Sequence, residues 1–133
     1  MSDPHDKSSE LPNSPFRGLG GVSKLHPLKH YVWGELCDGW NLVDHSDLSV
    51  KMERMPPHTA EQEHFHRHAR QFFFILKGTA VFYLEQGPVE VKEQEGLEIR
   101  PGLRHRIANE SEEDLEFILC SQPSTAGDRT NIK

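Results

Sequence analysis

The chain is 133 residues long, with 15 Lys and Arg against 21 Asp and Glu and a formal charge of −6. That length makes room for one domain around one core. The acidic balance excludes the basic stripe of a nucleic-acid binder and the polybasic patch of a membrane-surface protein. No apolar run reaches the roughly 18 residues of a membrane span, and the N-terminus, MSDPHDKSSELPNSP, has no signal-type hydrophobic region. The expectation is a soluble, cytoplasmic protein with neither nucleic acid nor membrane as partner. In that compartment Cys37 and Cys120 are expected as free thiols.

Residues 1–28 are rich in Ser, Pro, Gly and charge, show no periodicity, and read as an N-terminal arm. Residues 29–123 carry the punctuation of an all-β protein. Short apolar or alternating runs fall at 31–35, 40–43, 48–55, 71–76, 80–84, 89–91, 97–99, 105–108 and 115–120. Turn formers stand between many of them, among them Pro56-Pro57, Lys77-Gly78, Gln86-Gly87-Pro88 and Pro101-Gly102. Closely spaced short strands of this kind predict a sandwich or small barrel. The last ten residues, 124–133, are polar and read as a tail.

Alternation assigns faces. In 71–76, Gln71, Phe73 and Ile75 share one side, and Phe72, Phe74 and Leu76 the other. Both sides are apolar, so the second calls for a covering strand of the same chain or a second copy; a homodimer is the expectation. Ala80, Phe82 and Leu84 share a face on the next strand. The segment 29–35, with Trp33, is a candidate to pair with a neighbouring subunit's sheet.

Nine histidines are present, and four of them (58, 64, 66 and 68) lie within one short stretch. In an extended strand His64 and His66 project from one face, where two imidazoles converge on one ion without rearrangement. Gln71 offers an amide oxygen after a step long enough for a bend, and His105 is the one later histidine. Taken alone, the pair is better read as solvated histidines on an exposed strand.

Read together, the spacings carry more. His64-x-His66-x4-Gln71-x6-Gly78 resembles the first motif of the cupin family, HxHx(3,4)Ex(6)G, with Gln in the place of Glu. Pro101-Gly102-Leu103-Arg104-His105, running on to Asn109, resembles the second, PxGxxHxxxN, with proline beside the glycine and Arg100 at the first proline's place. His58 stands where the first motif usually opens with Gly. The resemblance covers roughly 48–122. It implies a cupin jelly-roll barrel, a double-stranded antiparallel β-helix, with His64, His66, Gln71 and His105 holding a divalent transition metal in its mouth: Fe, Ni, Mn or Zn.

With an amide in place of the carboxylate, the site with its ion carries one more positive charge, which favours anionic ligands. The expected function is that of a metal-dependent enzyme acting on a small anionic or oxygen-rich substrate, of dioxygenase, isomerase or lyase type. The alternative is a non-catalytic binding or sensor cupin whose metal anchors its ligand. Glu53 and His68 are the candidates for proton transfer, and Arg104 for meeting a substrate carboxylate.

Overall fold

Twelve strands and no helix make up the described residues, 19–133, of the computed structural model. The expected arm lies, as far as residue 18, outside the described residues. Its last part is tied to the barrel, Leu28 N donating to Asn41 O at 2.9 Å. In chain order the strands are β1 (Lys29–Trp33), β2 (Cys37–Asp44), β3 (Ser49–Met55), β4 (Thr59–Ala60), β5 (His64–Phe65), β6 (Arg70–Lys77), β7 (Ala80–Leu84), β8 (Gly87–Val91), β9 (Gly96–Ile99), β10 (His105–Asn109), β11 (Leu115–Gln122) and β12 (Thr130–Asn131). Each of the nine predicted runs overlaps one of them. No helix of the described residues is long and apolar enough to cross a membrane.

Two antiparallel sheets face each other. One runs β1-β2-β3-β11-β6-β9, the other β12-β5-β10-β7-β8, with β4 also on β10. Alternation fixes what lies between them. Gln71, Phe73 and Ile75 of β6 are buried, and β11 sets Ser121, Leu119 and Phe117 opposite them in register. Phe82 of β7 meets Phe73 edge-on from the facing sheet, ring centroids 4.9 Å apart, and Phe117 tilts against the same ring at 5.6 Å. Met55, Ile75, Ile99, Ile107 and Leu115 complete a core exposed by 1% or less. Each such side chain contributes on the order of 1.5–3 kcal/mol through burial.

The other face of β6 stays open within the chain. Phe72 is 43% exposed and stacks on Phe74, with Cys120 and Ile118 opposite them on β11. No strand among the described residues covers this pleat. β1, the candidate to pair with a neighbouring subunit's sheet, is an edge strand that pairs on one side with β2 of its own chain, Tyr31 opposite Gly39. The Gly34-centred turn is short enough for a hairpin, so local pairing closes first. Cys37 and Cys120 are both free, Cys37 buried in the core.

Three motif positions shape the loops at the end of the barrel away from His64 and His105. Gly78 sits at φ +85°, and a Cβ there would lie 2.7 Å from Asp114 O, so only glycine fits the turn. Asn109 is fully buried; its amide donates to Met55 O and Glu113 O at 2.9 and 2.7 Å, and its oxygen accepts from Ser111. His58 has a left-handed backbone, φ +60°, the conformation that the usual glycine supplies at that place. The polar residues 124–133 do not trail away. Ser124 N donates to Ser46 O, Ile132 N to Glu63 O, and β12 adds a short edge to β5.

Candidate metal centre

Antiparallel pairing sets His105 directly opposite His64, at the head of β10 and of β5. His66 follows just past the end of β5, where Gly102 N donates to its carbonyl at 2.7 Å and draws the second motif's loop against the first. Each ring donates from Nδ1 to a backbone carbonyl: His64 to Gln62 O (2.8 Å), His105 to Leu103 O (2.9 Å) and His66 to Asp128 O (2.6 Å). A carbonyl oxygen only accepts, so each Nδ1 carries the proton and each Nε2 presents a lone pair. The rings lie 4.4 to 5.8 Å apart, centroid to centroid, and one ligand nitrogen from each lies within 4.8 Å of the others.

Two of those lone pairs have no partner among the described residues. Nε2 of His66 and of His105 is buried without a hydrogen bond, and so is Oε1 of Gln71, whose Nε2 donates to Ser121 Oγ at 3.3 Å. An orphaned buried acceptor costs about 1–3 kcal/mol, and three near one place form a donor set that a cation satisfies. The protonation states agree. Burial, the largest influence, pulls His64 down to about 3 and His105 to about 4, and lowers His66 as well. All three are neutral at pH 7, as ligation requires. Imidazole nitrogens with an amide oxygen suit Fe, Ni, Mn or Zn and do not choose among them.

A cavity of about 220 Å³ opens beside the cluster, with His64, His66 and Gln71 on one side. The rest of its wall is unusually polar for a barrel interior: Tyr31, Lys51, Glu53, Glu61 and Arg129, set among Trp33, Phe73 and Leu119. Glu61 Oε1 accepts from Ile107 N at 3.2 Å and lies 4.0 Å from His64 Nε2; burial pushes its carboxyl up to about 8. Glu53 is likewise raised, mainly by burial, and accepts a short hydrogen bond from the Tyr31 hydroxyl. Burial, and after it the nearby Glu53 carboxylate, drive the Tyr31 phenol upward, so it stays a donor. Tyr31 reaches Glu53 across Gly39, the residue between them in register on β2. A Cβ on Gly39 would lie 2.0 Å from Tyr31 Cζ. The missing side chain is the space the phenol occupies.

His64, His66 and His105 are thus brought together, and Gln71 and Glu53 line the cavity beside His64 and His66. His68 is not part of it. The chain bends after His66, and His68 stands exposed at the rim, its backbone N held by Asp128 Oδ2 at 2.9 Å. Alternation therefore stops short of His68. Arg104 is exposed and outside the cavity wall, and Arg70 is exposed and pairs with Glu98 at 3.2 Å. His58 points outward to Glu112. Sequence reasoning passed over Tyr31, Lys51, Glu61, Asp128 and Arg129. Gly39 within a strand was the available signal, since an interior strand glycine marks a close approach.

A family model described as a cupin domain matches residues 51–121. An uncharacterized protein of Methanocaldococcus jannaschii is 29% identical over 69 residues, 52% of this chain and 55% of that protein. The chain thus spans about half the length of the curated relative it matches. Among solved structures it is similar to an uncharacterized conserved protein with a double-stranded β-helix domain from Klebsiella pneumoniae: TM-score 0.67, 19% identity, 77% of this chain and 91% of that one. It is also similar to a sugar phosphate isomerase from a cupin superfamily, from Silicibacter pomeroyi: TM-score 0.62, 17% identity, 71% and 69% of the two chains. At these identities the likeness is one of fold.

Proposed function

This chain belongs to the cupin family, and we propose that it is a metal-dependent enzyme that moves protons on a small, anionic, oxygen-rich substrate, in the manner of an isomerase or lyase. One observation carries this reading. One cavity is lined by two neutral imidazoles, with a third converging on them, by Gln71 with its spare amide oxygen, and by two cations and proton-bearing groups. His64, His66, His105 and Gln71 would hold the divalent ion, which when bound polarises a substrate oxygen and acidifies the groups beside it. Lys51 and Arg129 bind the anionic end of the substrate. Glu53, with its carboxyl raised by burial, accepts or returns the proton, and Tyr31 holds it in place through the phenol O–H. Trp33, Phe73 and Leu119 exclude water from the reacting groups. The fold shared with a protein described as a sugar phosphate isomerase supports a substrate of that class, although fold alone does not carry function.

The test is metal analysis of the gently purified protein, then turnover against a panel of sugar phosphates and keto acids, with dioxygen uptake followed in parallel. Turnover without oxygen uptake, lowered roughly 10²–10⁴-fold in Glu53→Gln at unchanged metal content, is the expected result. Metal without turnover on any substrate supports the binding or sensor reading instead, and oxygen uptake the dioxygenase. A protein that neither retains nor takes up metal removes all three. The open pleat of Phe72, Phe74, Ile118 and Cys120 supports the expected homodimer, which sedimentation equilibrium tests.

A further inference from the structure

Two of the three imidazoles are aimed by their own loops. His64 donates to Gln62 O and His105 to Leu103 O, each a carbonyl two residues earlier. His66 breaks the pattern and donates to Asp128 O, 62 residues further along the chain. The same aspartate does more. Its carboxylate accepts from three successive backbone N–H groups directly after His66: Arg67 to Oδ1 at 2.7 Å, and His68 and Ala69 to Oδ2 at 2.9 Å each. Burial alone would raise the Asp128 carboxyl, but these three donors hold it below the usual carboxylate range. Residues beyond it finish the attachment: β12 pairs Thr130 with Phe65 and Asn131 with His64, and Ile132 N donates to Glu63 O at 2.9 Å.

We infer that residues 124–132 form a clasp that makes His66 a ligand, and that Asp128 is its positioning residue. The carboxylate fixes the bend that carries His66 out of β5, and the carbonyl of the same residue fixes the ring's tautomer and turns Nε2 inward. Without the clasp the His66 ring loses its acceptor, and the donor set falls to two locally held imidazoles and an amide. Arg129, the next residue, lines the cavity and stands 3.9 Å from Glu61. Docking the clasp therefore also delivers a cation to the substrate side. The inference rests on the metal reading of the preceding subsection for its consequence, but its geometric content does not need a metal.

The experiment has two arms. In metal-free, full-length protein labelled at its histidines, nitrogen NMR should show His66 protonated on Nδ1 and slow to exchange, like His64 and His105. An Nε2-protonated His66 overturns the inference with no variant needed. In the second arm Co²⁺ is titrated into the wild type, Asp128→Ala and Asp128→Asn. Asp128→Ala should bind about 10- to 100-fold more weakly, the usual loss when a ligand's supporting group is removed. The His66 signal should change most, and Asp128→Asn, which keeps one oxygen acceptor where the bend uses two, should bind with an affinity between those of the wild type and Asp128→Ala. Unchanged affinity in Asp128→Ala, or equal disturbance of all three histidine signals, overturns the positioning role. A wild type that takes up no Co²⁺ refutes the metal reading, and the tautomer measurement then decides the clasp separately.

Discussion

Adding one carbon at Gly39 should evict Tyr31 from the cavity. Gly39 lacks the left-handed backbone that would itself bar alanine, so the nearest obstacle is the phenol, whose Cζ, Cε2 and Oη would lie 2.0, 2.3 and 2.4 Å from the new Cβ. No real contact is that short, and the tip of a tyrosine moves more readily than two paired strands. The ring swings out and Glu53 is left without its hydroxyl donor. An unsatisfied buried partner costs about 1–3 kcal/mol, and a half-buried ring returned to water about 1 kcal/mol more. Against this, alanine gains about 0.5–1 kcal/mol over glycine in a strand. Gly39→Ala should therefore destabilise the protein by about 1–3 kcal/mol in urea unfolding, with an unchanged m value. In a Tyr31→Ala background there is no ring to displace, and the same substitution should be neutral or stabilising by about 0.5–1 kcal/mol. Equal costs in the two backgrounds would refute the reasoning, because the penalty would then lie in the backbone and not in the phenol.

Three further outcomes bear on the metal centre. His105→Ala should lower bound metal sharply while the far-ultraviolet β spectrum persists, since the ring is replaced at the mouth and the core of Phe73, Phe82 and Phe117 is untouched; unchanged stoichiometry by elemental analysis would remove His105 from the site. Gln71→Glu should tighten metal binding by about tenfold, the worth of converting one neutral contact to a charged one at about 1.4 kcal/mol, and a flat or weaker affinity would place Gln71 outside the ligand set. Metal retention should hold as pH falls through 6.5, where ordinary imidazoles begin to protonate, because burial lowers His64 to about 3 and His105 to about 4. Protons then compete for these two nitrogens only well below the ordinary imidazole range; steady loss of metal starting at pH 6.5 in a dialysis series would contradict the burial of the cluster.

The strands and the ligand spacing were legible because both are short-range. Two-residue alternation marks Gln71, Phe73 and Ile75 as one face wherever the strand is placed, and His64-x-His66 together with the loop before His105 survives as a local pattern. What escaped was most of the cavity's polar wall beyond Glu53, because register between distant strands makes it. The run 48–55 shows the difficulty: Val50 and Met52 alternate with Lys51 and Glu53, and apolar-inward reasoning turns the charged pair to solvent. β11 decides otherwise, because Leu119 and Phe117, inward in the core, stand opposite Lys51 and Glu53 in the ladder and commit them to the interior face. Opposed residues in an antiparallel pair share a face, so burying the larger apolar set of β11 carries two charges of β3 inside. The cavity is where that conflict is resolved, with Tyr31 meeting Glu53 over the vacancy at Gly39. Asp128 escaped for the same reason, as no local pattern in a polar ten-residue tail announces a partner 62 residues away. The polar wall of the site is thus a product of sheet register, whereas its histidines belong to local sequence, and substitutions on β11 that shift its pairing with β3 should remove the first while sparing the second.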